Sequence, residues 1–212
     1  MVVPITFRGT GERAVASYNY ENLAEGTGVV TYYLSTTNAG SFLNSNALIS
    51  TDIEFDHLIS NAAPATLQAT YNFDLPAFNL PKNLRGTGAL EIATGLNSND
   101  GVGRNGYITA TLYKYSNAVE TSIVTFNTFN GGATDYRMSK AYSFVIPTTH
   151  FKKGDILRLK LEVYGNVRTA TGNTHFFFGC DPLNRDGTWL IPSTDIDVST
   201  KSRLFIPYNI DL

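Results

Sequence analysis

From residue 28 to the carboxyl terminus, apolar and polar positions alternate in short runs separated by Gly, Asn, Thr and Pro. The clearest run is FKKGDILRLKLEVYG (151–165). After the turn KKGD, Leu157, Leu159, Leu161 and Val163 alternate with Arg158, Lys160, Glu162 and Tyr164. That is the period-two pattern of a strand with one buried face. In LISTDIEFDHL (48–58), Ile49, Thr51, Ile53, Phe55 and His57 fall on one predicted face, and Ser50, Asp52, Glu54 and Asp56 on the other. TLQATYNFDL (66–75) alternates Leu67, Ala69, Tyr71 and Phe73, and GYITATLYKYS (106–116) places Ile108, Ala110 and Leu112 inward. GVVTYYLSTT (28–37), GALEIATGL (88–96), ETSIVTFNTF (120–129), AYSFVIP (141–147), THFFFGC (174–180) and RLFIPYNIDL (203–212) carry the β-branched, aromatic or apolar content of strands. The short link SNAV makes 106–116 and 120–129 a predicted hairpin.

About ten strands with no confident amphipathic helix predict an all-β fold. Long connections at 36–47 and 130–140 suit Greek-key crossings, so the expected architecture is an antiparallel β-sandwich of jelly-roll type. Residues 1–27 have weak periodicity and read as an amino-terminal arm, extended or briefly helical, able to contact neighbours. Residues 28–212 form one expected domain. Gly-Thr-Gly recurs at 9–11, 26–28 and 86–88, and two copies directly precede predicted strands, as glycine-permitted strand entries.

Composition narrows the function classes. Charged residues are 16% of the 212-residue chain and the net charge is −2. Neither a basic tract nor a broad attraction for nucleic acid follows. Cys180 is the only cysteine, so an intrachain disulfide is excluded. No apolar run approaches the length of a membrane span, and MVVPITFRGTGER does not resemble a secretory signal. The expectation is synthesis in a cytoplasm, with no membrane partner.

Rare residue types crowd into HFFFGCDPLNRDGTW (175–189). His175 and Cys180 are an odd number of positions apart, which sends them to opposite faces of a regular strand. The Gly-x-Ser-x-Gly nucleophile elbow is absent from the chain. Aligning Asn184, Asp186 and Gly187 with a calcium loop puts Pro182 at the first ligand position and Ser193 at the twelfth, so the template fails twice. The residues Asp181, Pro182, Asn184, Arg185, Asp186 and Gly187 are predicted to form a structural turn, with Arg185 paired to Asp181 or Asp186. No catalytic, metal or cofactor residue is predicted, and the chain is expected not to be an enzyme. Asp52, Glu54 and Asp56 form an acidic stripe that could meet Lys152, Lys153, Arg158 and Lys160 of a neighbouring subunit. Tyr113 and Tyr115 share a strand face and, with Trp189, are candidates for glycan or aromatic contact.

Four stretches carry a family resemblance: AEGTGVVTYYL (24–34), FNLPKNLRGTGAL (78–90), THFKKGDILRLKLE (149–162), and GCDPLNRDGTWLIPSTD with the closing LFIPYNIDL. Together they resemble uncharacterised β-rich proteins of phage-like and environmental virus-like genomes. There a similar Asp-Pro-x-Asn-Arg turn precedes a closing Ile-Pro-Phe-x-Ile-Asp-Leu strand. The resemblance implies a capsid, decoration or other virion surface component, partnered by copies of itself and other virion proteins. That group often has His before the Asp-Pro, where this chain has Cys180. The departure counts against metal or acid–base chemistry at this position.

Overall fold

The computed structural model describes residues 16–17, 27–59, 66–98, 104–130, 136–167, 174–185 and 200–209. Among them the chain forms twelve strands. The first six are β1 (Ala16–Ser17), β2 (Thr27–Thr37), β3 (Gly40–Asn44), β4 (Glu54–Ile59), β5 (Thr66–Asp74) and β6 (Lys82–Ser98). The others are β7 (Arg104–Ser116), β8 (Val119–Asn130), β9 (Tyr136–Phe151), β10 (Ile156–Val167), β11 (Thr174–Gly179) and β12 (Arg203–Asn209). They hydrogen-bond in the order β4-β11-β6-β12-β2-β3-β5-β10-β7-β8, with β9 on β6 and β1 on β2. All pairings are antiparallel except one parallel bridge, Phe42 to Asp74, between β3 and β5.

This path folds over into a sandwich. Tyr71 on β5 packs edge-on to Phe178 on β11 and close to Phe55 on β4, although β5 pairs with neither strand. Phe126 on β8 stacks on Phe144 on β9 at 4.8 Å, joining two strands that share no ladder. One apolar core lies between the halves. It takes Leu157, Leu159, Leu161 and Val163 from β10, and Ile108, Ala110 and Leu112 from β7. Opposite them stand Leu84, Leu90 and Ile92 from β6, with Leu204 and Ile206 from β12. Those of β10 and β7 are the inward positions the alternation predicts. The β7–β8 hairpin turns through Asn117 and Ala118, both at positive φ, as a two-residue hairpin turn requires.

Several expectations are corrected. The strand expected at 88–96 begins six residues earlier, at Lys82. Gly86, at φ 118°, sits where the β6–β9 register shifts, so this Gly-Thr-Gly lies inside a strand and not before it. The strand expected to stop at Pro147 continues to Phe151. The alternation over 48–53 fails: this segment is not a strand, Ile49 is 71% exposed, and Ser50 is 1% exposed. Ser50 turns inward because its hydroxyl accepts the Thr36 backbone N–H at 2.8 Å and meets the Thr36 hydroxyl at 2.9 Å. In the amino-terminal arm, Ala16 and Ser17 are strand, paired with Val30 and Val29.

Candidate functional site: the outer face of β5, β10, β7 and β8

Alternation along β10 and β7 sends one row of side chains into the core and the other onto an outer face. Strand register then decides which outer residues meet. Arg158 lies opposite Tyr113 on β7 and Asp74 on β5, and Tyr164 lies opposite Tyr107. The Arg158 guanidinium donates to Asp74 through Nε at 2.6 Å and Nη2 at 2.7 Å, and through Nη1 to Glu120 on β8 at 2.7 Å. Lys160 donates to the other oxygen of Glu120. The two cations also cover rings: Arg158 lies 4.1 Å from the centre of Tyr115, and Lys160 Nζ 4.6 Å from the centre of Tyr113. Tyr107 and Tyr164 stack at 5.0 Å with their planes 6° apart.

The network shifts its own acid–base equilibria. Hydrogen bonds from Lys160 and then Arg158 hold the Glu120 carboxyl below its ordinary range. The hydrogen bonds to Asp74 raise Arg158 above its ordinary value. The face is therefore an ordered array in which Arg158 and Lys160 are held by Asp74 and Glu120, while Glu162, on the same row, is hydrogen-bonded to Tyr164.

This geometry corrects the expected charge contact between subunits. Arg158 and Lys160 spend their charges inside the chain and are not free for an acidic stripe. The stripe is broken too. Asp52 lies outside any strand, Glu54 opens β4, and Asp56 is placed by its backbone alone. Lys152 and Lys153 stand apart from Arg158 and Lys160, on the exposed turn before β10. The candidates Tyr113 and Tyr115 do share the outer face. Tyr107 and Tyr164 complete it, and sequence alone singled out neither, because their meeting depends on the β7–β10 register. Trp189, Asp186 and Gly187 lie outside the described residues.

The predicted turn is built around Asp181, which is fully buried. Its carboxylate accepts the Arg185 backbone N–H at 2.6 Å, and Arg185 Nε and Nη2 at 3.0 and 3.1 Å. Arg185 Nη2 also donates to the Ser50 carbonyl at 2.6 Å. Pro182 follows, buried, and Asn184 holds φ at 55°, a left-handed value that Asn tolerates. The Asn184 side chain accepts the Thr200 backbone N–H at 2.9 Å. Cys180 is buried, with its thiol 3.3 Å from the Asp52 carbonyl, and burial pushes the thiol up to about 12. The turn thus ties residues 50–53, 179–185 and 200–202 together. His175 is placed by its backbone alone. Among the described residues, no three His, Cys, Asp or Glu side chains are grouped to hold a metal.

No protein-family model matches the chain, and no curated protein matches its sequence. Solved structures do share its fold. An aminopeptidase from a marine sediment Thaumarchaeota archaeon matches 83% of this chain and 36% of its own, at a TM-score of 0.51 and 8% identity. An α-amino acid ester hydrolase matches 83% of this chain and 36% of its own, at a TM-score of 0.50 and 10% identity. The chain therefore spans about a third of the length of these enzymes. The VP2 subviral particle of infectious bursal disease virus matches 87% of this chain at 13% identity, but its TM-score of 0.33 is too low to carry an argument. The expectation that the chain is not an enzyme is overturned here: solved structures that share its fold are hydrolases. At these identities the likeness is one of fold. No helix among the described residues is long and apolar enough to cross a membrane.

Proposed function

We propose that this chain is a structural component of a virus particle, a jelly-roll sandwich that joins copies of itself and other virion proteins through the outer face of β5, β10, β7 and β8. The observation that carries this reading is the ordered tyrosine–arginine array on that face. Tyr and Arg are the residue types enriched at the energetic centres of protein interfaces. Side chains already held in one geometry lose little entropy on docking. Arg158 and Lys160 carry their own carboxylate partners, so covering the face strands neither cation. The sequence resemblance to virion proteins supports the same reading. A protein partner is favoured over a glycan, because Tyr113 and Tyr115 each already carry a cation on one ring face. Light scattering after size exclusion tests it: discrete oligomers or shells are expected, and a strict monomer at every concentration overturns it.

A second reading follows from the ester hydrolase and aminopeptidase that share the fold. In it the chain is the sandwich portion of a hydrolase. Turnover of amino-acid esters or aminoacyl anilides that copurifies with the chain through successive columns would favour this reading over assembly.

A further inference from the structure

We propose that the end of the sandwich where β6 begins and β9 ends is a docking site for a sulfated polysaccharide. Register brings its basic residues together: Lys82 lies opposite Phe151, and Asn83 opposite His150. Lys152 and Lys153 follow directly on the exposed turn, and Arg85, three residues beyond Lys82 at the register break, is exposed on the other face of β6, the face of Asn83. At strand spacings of about 3.3 Å per residue and 4.8 Å between strands, these Cα atoms span roughly 15 Å. That footprint suits a short run of sulfated sugars.

The charge here has no counter-charge among the described residues. Three carboxylates lie on the neighbouring strands and turn, and each is held by another cation. Asp155 is paired with Lys114 at 3.1 Å, Asp74 with Arg158, and Glu120 with Arg158 and Lys160. Lys82, Arg85, Lys152 and Lys153 thus leave four positive charges at one end of a chain whose net charge is −2. The turn that carries the two lysines is fixed by the backbone N–H of Lys152, which donates to the Asp155 carboxylate at 2.7 Å. Asn83, hydrogen-bonded to His150 at 2.8 Å, adds polar partners for hydroxyl groups.

Nucleic acid fits this surface less well. Unstacked bases need open aromatic platforms. The rings at this end, Phe78 and Phe151, pack on each other at 5.0 Å, and Phe151 is fully buried. The cations also sit around a strand end and the adjoining turn and not in a stripe along a groove. The inference stands independently of assembly through the other face.

The test is binding of the full chain to a size-defined heparin oligosaccharide, with neutral dextran and a DNA duplex of equal charge as comparators. The wild-type chain is expected to bind heparin in a salt-dependent way, to ignore dextran, and to bind the duplex more weakly. Lys152→Gln/Lys153→Gln, and separately Lys82→Gln/Arg85→Gln, should each weaken heparin binding by about tenfold. Lys140→Gln, on the far part of β9, should leave it unchanged, and all variants should melt like the wild type. No heparin binding, equal or tighter binding of the duplex, or binding insensitive to both double variants would overturn the proposal.

Discussion

At the scale of single residues, Asp181 bears the greatest structural demand. A fully buried carboxylate must be hydrogen-bonded to persist, and Asp181 meets that need through the Arg185 backbone and guanidinium. Asp181→Ala leaves the donors without their acceptor and should cost about 3 kcal/mol, measured by chemical denaturation. A loss below ~0.5 kcal/mol would contradict this account of the turn. Gly179 is equally constrained, because a Cβ there would lie 2.3 Å from the Thr200 carbonyl oxygen. Gly179→Ala should destabilise the chain by about 2–4 kcal/mol or prevent folding. Cys180 should behave as a buried apolar group. Its thiol, raised to about 12, should resist a disulfide-exchange reagent in the native chain and react once denatured.

At the scale of elements, β10 was the most legible. Its alternating leucines and the KKGD turn place both its start and its buried face. The turn depends on Asp155. Burial opposes its ionisation, but hydrogen bonds from Ser116, the Lys152 backbone and Lys114 outweigh that and bring it from its ordinary 3.8 to about 2. A lowered carboxylate stabilises the fold fully above its unfolded value and loses that contribution as pH falls through the folded one. Stability should therefore decline between about pH 4 and pH 2, and Asp155→Asn should flatten that decline in acid denaturation followed by circular dichroism. β6 and β9 were less legible because each contains a residue that usually ends a strand. Gly86 takes up a positive φ at the register break instead of ending β6. Pro147 falls in the same break, between the pairings of Ile146 and Thr149, where its missing N–H breaks no ladder bond. Over 48–53 the alternation misled, because Ser50 is drawn inward by Thr36 and by Arg185, contacts set by residues distant in sequence. The outer face was half legible. Alternation places Tyr113, Tyr115, Arg158 and Lys160 outward, but only register shows that Asp74 and Glu120 neutralise the cations.

At the scale of the whole molecule, the sandwich separates three tasks. Its core holds the halves together, the Asp181 turn ties down the edge beside β4 and β11, and the two exposed surfaces with distinct chemistry lie elsewhere. The β5–β10–β7–β8 face is ordered and aromatic, with both its cations paired, as an assembly contact would be. The end bearing Lys82 and Lys152 is basic and unbalanced. Assembly through the ordered face is tested most directly by adding like charge to it without touching its network. Thr70, Asn72 and Ser122 are exposed on these strands, so Thr70→Glu/Asn72→Glu/Ser122→Glu should change the melting temperature little. Analytical ultracentrifugation of the wild type and this triple variant is the decisive measurement. The account predicts that the wild type sediments as a defined assembly and the triple variant as a folded monomer. Equal assembly by both chains, or none by the wild type, would contradict it.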